Sequence, residues 1–390
     1  MAKKYLNRLF GRFFGSDDNG DTAAVADRPF AARVSEFWNW FGEHSSELKQ
    51  LLQQKESGFE KIRTLMDEGL AIIGDDVYYN MGGENELTFC VESRSECHYI
   101  YPYLVSSMPE SLKAGWTVHA CKQPAASIDF VFGMYGRKID ISQIMISVDY
   151  NKETNSFTLR YYHPELSQLS ESESLNAFYI ILELVVGEGP VYNYISNVTQ
   201  AKDAEGMFPI GELRAALKYF VEENGGKYSV EPELLLSSYS CEPEDDESRP
   251  RLDIICGTTR FISLLRDYYE NSRETYDRLS SKGVEAVMLI LTQPADMPDK
   301  DFLDFRYKVE DRLQDLFDKS VIKGLLLGGA YAATGKAYID LLLYDCLQFI
   351  DFLGEPGELD RLLALDNGKV CPTHVELKTF IPDSIPQILR

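Results

Sequence analysis

The sequence lacks the short motifs that mark most catalytic sites. It contains no G-x-S-x-G nucleophile elbow, no H-E-x-x-H zinc motif and no set of S-x-x-K, S-D-N and K-T-G segments. None of its five histidines falls in a recognisable nucleophile pattern. These absences predict a protein without a catalytic set and without a cofactor.

Basic residues are also scarce. The chain has 39 lysines and arginines against 62 aspartates and glutamates, which gives a formal net charge of −23 at pH 7. A surface with this excess repels nucleic-acid phosphate and anionic lipid at long range, and it attracts basic proteins. We therefore expect no nucleic-acid partner, and we expect a protein partner that is basic.

Cysteine pairs and long apolar runs are missing as well. The seven cysteines contain no C-x-x-C and are odd in number, which favours reduced thiols over a disulfide framework. No stretch approaches the roughly 18 apolar residues of a membrane span. The first residues lack the apolar block and small-residue cleavage site of a secretory signal. Together these features predict a cytoplasmic protein.

Residues 1–29 combine a basic amphipathic segment with an acidic linker. No acid precedes Asp17, and in a helix the large apolar residues of the segment would share one face. This pattern is typical of segments that lie on a membrane or in a partner's groove, where we expect weak contact. The alternatives are a loose tail or a tail that docks on the protein's own acidic body. The residues concerned are the cations Lys3, Lys4, Arg8 and Arg12 and the apolar Leu6, Leu9, Phe10, Phe13 and Phe14.

Chain length and hydrophobic patterning predict two α+β domains with mostly antiparallel sheets, over residues 30–205 and 206–390. In the first domain, the Gly82-Gly83 turn between two apolar runs predicts a hairpin. The segment SLNAFYIILELVVG predicts a buried helix that ends at Gly187. The segment PVYNYISNV predicts a last strand.

In the second domain, the pattern from Val284 predicts the strand–helix–strand–strand–helix–strand order of ferredoxin-like folds. The segments are VEAVMLIL, DKDFLDFRYKVEDRLQDLF, GLLLGGA, AYIDLLLY, DCLQFIDFL and VELKTF. The first of these strands is apolar on both faces, so we expect the sheet face opposite the two helices to be covered as well, with the first domain as the candidate cover.

The stretch GLLLGGAYAATGKAYIDLLLYD, from Gly324 to Asp345, has a Gly-Lys pair but does not fit a phosphate-binding loop. Such a loop needs G-x-x-x-x-G-K-[ST] between a strand and a helix. Ala330 stands where the first glycine should be, Ala337 stands where the hydroxyl should be, and a strand-like run follows. The stretch therefore predicts a hairpin, with Gly328 and Gly329 at a bulge or a close backbone approach.

Asp340 is the most conspicuous candidate site residue, because an unpaired carboxylate on a buried sheet face is costly. Strand alternation places it on one face with Tyr338 and Tyr344. Either this face sees water and binds a ligand, or Asp340 has a partner such as Lys378, Lys336 or an arginine. No second carboxylate is visibly paired with Asp340 for acid–base catalysis, which favours a structural hydrogen bond.

His119 and Cys121 share a strand face, as two metal ligands would. Zinc needs three or four ligands, and no spacing in the sequence supplies the rest. We therefore predict no metal site. His119 stays a ligand-binding candidate beside Asp340, Tyr338 and Tyr344.

Two stretches resemble conserved-hypothetical bacterial proteins of unknown function. One is the FWNWF segment followed by GGENELTFCVES and GWTVHACKQP, and the other is GLLLGGAYAATGKAYIDLLLYD. The resemblance implies a bacterial cytosolic protein and brings no activity, cofactor or site residue with it.

These observations favour a non-enzymatic protein that binds another protein, for example an acidic inhibitor or immunity-type module that neutralises a basic enzyme. An acid-rich loop supports this hypothesis by inviting a basic partner. The alternative is a hydrolase or small-ligand binder with a site between the two domains, where clefts commonly form. The loop residues are Glu242, Glu244, Asp245, Asp246 and Glu247.

Overall fold

The computed structural model describes residues 28–54, 56–92, 94–244, 249–365, 371 and 374–389. The basic amphipathic segment and its linker up to residue 27 lie outside the described residues. So do three residues of the predicted acidic loop, Asp245, Asp246 and Glu247.

Helices are distributed along the whole described chain. In chain order they are α1 (Phe30–Gln53), α2 (Glu56–Leu70), α3 (Cys97–Ser106), α4 (Glu110–Lys113), α5 (Glu171–Val186), α6 (Glu188–Tyr194), α7 (Leu213–Glu223), α8 (Ile262–Tyr269), α9 (Glu274–Ser281), α10 (Asp299–Asp318), α11 (Cys346–Gly354) and α12 (Glu358–Leu362).

The strands are mostly short, and several follow one another without a helix between them. In chain order they are β1 (Tyr78–Gly82), β2 (Glu86–Cys90), β3 (Thr117–His119), β4 (Val131–Met134), β5 (Arg137–Asp140), β6 (Met145–Asn151), β7 (Ser156–Tyr162), β8 (Ile195–Gln200), β9 (Phe208–Pro209), β10 (Ser237–Ser240), β11 (Ile254–Thr259), β12 (Glu285–Thr292), β13 (Gly324–Ala332), β14 (Lys336–Leu343), β15 (Val375–Thr379) and β16 (Gln387–Ile388).

The described residues group into two compact units. The inserted unit is Val77–Leu235, and it interrupts the discontinuous unit, which consists of residues 28–76 and 236–389. Both units combine helices with mostly antiparallel sheets, so the predicted α+β class is confirmed. The boundary predicted between residues 205 and 206 falls within the inserted unit, where β9 pairs with β6 and α7 contributes to the core.

The discontinuous unit is built on a seven-stranded antiparallel sheet with the order β10-β11-β13-β14-β12-β15-β16. The four central strands and the helices between them follow in the chain order β12, α10, β13, β14, α11, α12 and β15. Beyond the predicted ferredoxin-like set of four strands and two helices, this unit contains strands β10, β11 and β16 and helices α1, α2, α8, α9 and α12, so the ferredoxin-like order stays a prediction. One sheet face packs against α10 and α11, through residues that include Val287, Leu289, Ile339, Phe302 and Phe349.

Helices of the same unit cover the other face of this sheet. The ring of Phe30 on α1 lies 6.4 Å from the ring of Tyr344, measured between centroids. The ring of Tyr268 on α8 lies 5.8 Å from the ring of Phe380 just after β15. Central residues such as Met288 are consequently fully buried, as the two-sided apolar pattern of β12 indicated.

The stretch from Gly324 to Asp345 forms the predicted hairpin. β13 and β14 pair antiparallel, with a register shift between Leu326 and Gly328. Gly328 has a φ of +149°, and a Cβ built on it would lie 2.1 Å from the carbonyl oxygen of Thr258 on β11. Only glycine fits this close backbone approach. The predicted bulge is therefore confirmed, and the stretch has no strand–loop–helix geometry for phosphate.

The inserted unit contains the sheets β1-β2-β3, β4-β5 and β8-β7-β6-β9. Helix α5 crosses its core; Ser170 caps the start in a reciprocal capping box with Glu173, and Gly187 at φ +89° ends the helix. The single strand predicted for PVYNYISNV is wrong, because this segment is helix α6 as far as Tyr194 and then strand β8. Pro190 stands in the first turn of α6, where proline is tolerated.

Within the described ranges, no single helix is long and apolar enough to span a membrane. Helices α5 and α6 meet that test only when taken together, and they are bent by 109° at their junction.

Candidate functional site

Asp340 is buried at the centre of the seven-stranded sheet and paired with an arginine. Its Oδ1 accepts a hydrogen bond of 2.5 Å from Nη1 of Arg251. The side chains are 2 % and 0 % exposed, respectively. Of the partners that the sequence left open, the structure therefore shows the arginine. Without that partner the buried carboxylate would be strongly destabilising.

Arg251 is fixed by both its backbone and its side chain. Its backbone N–H donates to the hydroxyl of Tyr338 at 3.0 Å, and its carbonyl accepts from the hydroxyl of Tyr269 at 3.2 Å. Its Nη2 donates to the hydroxyl of Tyr239 at 2.6 Å. Arg251 also has a φ of +79°, a conformation that a non-glycine residue holds only where its surroundings enforce it.

Tyr338 extends the same network to a second carboxylate. Its hydroxyl donates to Oδ1 of Asp253 at 2.8 Å, and the hydroxyl of Thr334 donates to Oδ2. Two predicted site residues, Tyr338 and Asp340, are thus brought together through Arg251. Asp253 and Arg251 precede them by more than 80 positions, and no local pattern in the sequence links the four.

The electrostatics of this cluster favour a structural role. Burial lowers the pKa of the Arg251 guanidinium, but the carboxylate of Asp340 outweighs this effect and raises that pKa well above its ordinary value. The cation also lies over the rings of Tyr338 and Phe380, at 5.5 and 5.3 Å from their centroids. A charge held this firmly is not available for proton transfer near neutral pH.

Lys378, a predicted partner of Asp340, and Tyr344, a predicted site residue, make contacts of their own away from the Arg251–Asp340 pair. Nζ of Lys378 donates to the carbonyls of Ile381, Pro382 and Ser384 at 2.5–3.1 Å, and it thereby fixes the turn after β15. Tyr344 contacts helix α1 instead, where its carbonyl accepts the N–H of Ala31 at 2.9 Å.

His119 belongs to the inserted unit, at the end of β3. Its Nε2 lies 3.4 Å from Oε1 of Glu86, and its side chain is partly exposed. Burial raises the pKa of the neighbouring Cys121 thiol to about 12, so this sulfur is not a thiolate at neutral pH. In the part of the chain that the structure describes, no group of three or more His, Cys, Asp or Glu side chains could hold a metal ion.

A second buried ionic cluster in the inserted unit centres on Glu188. Its Oε2 accepts the backbone N–H groups of Val91 and Lys122, each at 3.0 Å. Its Oε1 accepts the N–H of Glu92 at 2.6 Å. Nζ of Lys122 pairs with Glu92 at 2.7 Å and with Glu183 at 3.0 Å. This cluster joins loops that are distant in the sequence, because one buried carboxylate accepts three backbone N–H groups from them.

A pocket of about 640 Å³ lies in the discontinuous unit where β14 leads into α11. We call it the acidic pocket, and it is lined by apolar Pro29, Leu316, Val321, Leu347 and Phe352, by Gln348, and by Asp345, Asp351, Glu355 and Glu358. Val321 and Leu347 are 44 % and 43 % exposed, so aliphatic surface faces solvent here. No lysine or arginine is among the described residues that line it.

The carboxylates of the acidic pocket follow from the local structure of α11 and α12. Asp345 caps α11, where its Oδ1 accepts the N–H of Gln348 at 3.0 Å. Glu358 lies in the first turn of α12, where a negative charge is favourable, and it pairs with exposed Arg361. Asp351 and Glu355 are exposed. Four carboxylates therefore line an accessible apolar surface, and one of them, Glu358, has Arg361 as its counter-charge.

The start of α1 completes this pocket. The N–H of Phe30 donates to the carbonyl of Gly283 at 3.0 Å, and the N–H of Ala31 donates to the carbonyl of Tyr344 at 2.9 Å. These two hydrogen bonds fix Pro29 at the edge of the pocket. Sequence reasoning did not find this site, because its residues come from three separated segments. The only signal was the general acid excess.

Comparisons with protein-family models, with curated proteins and with solved structures found no match for this chain.

Proposed function

We propose that this protein acts by binding another protein in the cytoplasm, and that the acidic pocket receives a basic, amphipathic segment of the partner. The observation that supports this most directly is the lining of the pocket, which combines exposed aliphatic side chains with four carboxylates and, among the described residues, no lysine or arginine. Neutralisation of a basic enzyme by an acidic inhibitor would be one form of this activity.

The two kinds of lining contribute differently to binding. Burial of one large aliphatic or aromatic side chain from the partner against Leu347 and Phe352 would contribute about 1.5–3 kcal/mol. The four carboxylates, within a chain of net charge −23, would steer a basic partner and set its register. A segment with lysines or arginines on one helical face and apolar residues on the other satisfies both requirements.

A test of this proposal uses the full chain and a fluorescent peptide of leucine and lysine, ordered so that a helix would carry leucine on one face. We expect saturable binding that weakens at higher salt, since exposed charges are screened. The combined substitution Asp351→Lys and Glu355→Lys should weaken binding about tenfold or more, because it reverses two pocket charges.

The matched control is Glu153→Lys with Glu205→Lys, two exposed residues of the inserted unit. It changes the net charge of the chain by the same amount and leaves the pocket intact. Equal affinity for the pocket variant and the control variant would show that the peptide responds only to overall charge, and the proposal would then fail.

A further inference from the structure

We infer that the chain's own basic amphipathic segment, residues 3–14, occupies the acidic pocket in the free protein and competes there with the partner. This inference rests on the proposed function for the binding chemistry of the pocket, and it adds a regulatory element: the partner must displace the segment before it can bind.

The attachment point of the segment supports this occupant. The described chain begins at Arg28, and the next residue, Pro29, lines the pocket and is fixed there by the hydrogen bonds of Phe30 and Ala31. The residues between Phe14 and Arg28 can span at most about 50 Å when fully extended. The linker is therefore long enough for the basic segment to reach the pocket, and its attachment point lies at the pocket edge.

Charge and hydrophobicity also match. The segment carries four cations and no acid, and four carboxylates line the pocket, of which Glu358 is already paired with exposed Arg361. The apolar residues of the segment, including Phe10, Phe13 and Phe14, would share one helical face, and the pocket exposes Val321 and Leu347. The cations of the segment thus match the pocket carboxylates, and its apolar residues match the exposed aliphatic side chains. Both surfaces lie next to Pro29, where the linker joins the described chain.

Tethering makes this competition effective even if the segment binds weakly. A short linker gives its attached segment an effective concentration on the order of millimolar. A partner in solution must then bind well enough to overcome that concentration. Salt should weaken the segment's hold and the partner's hold alike, because the same carboxylates attract both.

The direct test places a photo-reactive benzoylphenylalanine at Phe10 of the full chain and identifies its crosslinks by mass spectrometry. We expect crosslinks within residues 345–358 of the same chain, recognised by mixing isotopically light and heavy protein. Asp351→Lys with Glu355→Lys should abolish them, and Glu153→Lys with Glu205→Lys should not. Crosslinks elsewhere, no crosslink, or crosslinks that persist in the pocket variant would each overturn the inference.

A second measurement tests the competition itself. Neutralising the four cations of the segment to glutamine should tighten binding of the leucine–lysine peptide about tenfold, because the tethered competitor is weakened. A control variant removes the same number of charges from exposed lysines of the inserted unit, and its affinity should stay close to that of the native chain. These controls are Lys138, Lys152, Lys202 and Lys227, each replaced by glutamine.

The two experiments separate the inference from the function on which it rests. The peptide could bind in a way that depends on the pocket, while the segment gives no crosslinks there and its neutralisation does not increase peptide affinity. That result would overturn the inference and leave the proposed function standing. Crosslinks at the pocket, without peptide binding in either the native or the neutralised chain, would show that the segment docks and that the proposed function is wrong.

Discussion

Nη1 of Arg251 donates a hydrogen bond of 2.5 Å to Oδ1 of Asp340 across a separation of 89 positions in the sequence. Because both side chains are excluded from solvent, each charge is tolerated only in the presence of the other. This pair joins the segment before β11 to the centre of the sheet. The structure therefore gives Asp340 a role in stability, which can be measured.

Replacing Asp340 by asparagine should lower the free energy of unfolding by about 3 kcal/mol or more, since it leaves the Arg251 cation buried without a counter-charge. Urea unfolding measures this loss. The control is Asp277→Asn, which removes an exposed helical pair with Arg273 at 2.9 Å and should change stability by less than about 0.5 kcal/mol. Similar losses in the two variants would contradict a special role for the buried pair.

Gly328→Ala should destabilise the seven-stranded sheet by about 2 kcal/mol or more, because the new methyl group meets the carbonyl of Thr258 in a strained conformation. Labelling of the buried Cys346 thiol during urea unfolding reports on this unit. Gly133→Ala on β4 is the control, since nothing lies within 4 Å of its added Cβ. If Cys346 becomes reactive at the same urea concentration in both variants, the close approach does not constrain the fold.

Glu188→Ala should destabilise the inserted unit by about 3 kcal/mol, because three backbone N–H groups lose their common acceptor. Cys90 is buried, and the labelling rate of its thiol in urea measures opening of this unit. Glu183→Ala serves for comparison, because that carboxylate is bound by the side chain of Lys122 and does not anchor the three backbone N–H groups, so its loss should cost less than about 1 kcal/mol. An equal effect of both substitutions would contradict the proposed anchoring role of Glu188.

Glu310 should make the discontinuous unit less stable as the pH rises from about 4.5 to 7. Burial raises the pKa of this carboxyl to about 7, although Arg306, with its Nε at 3.4 Å, opposes the shift. The folded state therefore holds a proton that the unfolded state has lost in this range. The resulting stabilisation is complete below the unfolded pKa and disappears as the pH rises through about 7.

Glu310→Gln removes this titration. The difference in unfolding free energy between the native chain and this variant should change by up to about 3 kcal/mol between pH 4.5 and 7.5. Urea midpoints at several pH values measure it. Asp304→Asn, at an exposed position of the same helix, is the control. A constant difference between the native chain and Glu310→Gln would show that Glu310 does not titrate in this range.

Much of the local structure could be predicted from the sequence. The hairpin from Gly324 to Asp345 was identified because alternation and turn residues are local signals. The helix that ends at Gly187 was identified from its apolar content and its glycine stop. The segment PVYNYISNV was misinterpreted, since a short apolar run fits a strand or a buried helix equally well.

The candidate site was predicted only in part. Asp340 and Tyr338 stood out because polar groups in an apolar strand require a partner, and the structure supplies Arg251 and Asp253. Neither partner could be chosen from the sequence, because several cations and hydroxyls were available and local spacing favours none of them.

The charge of this protein, its α+β class and the basic amphipathic character of residues 3–14 could all be predicted, because they follow from composition and from periodicity within single segments. The grouping of residues 28–76 with residues 236–389, and the presence of Pro29 beside α11 in the acidic pocket, are seen only in the folded chain. Such neighbours depend on strand order and on the packing of helices onto a finished sheet. Those contacts form between residues far apart in the chain, so they cannot be predicted from the pattern of residues within one segment.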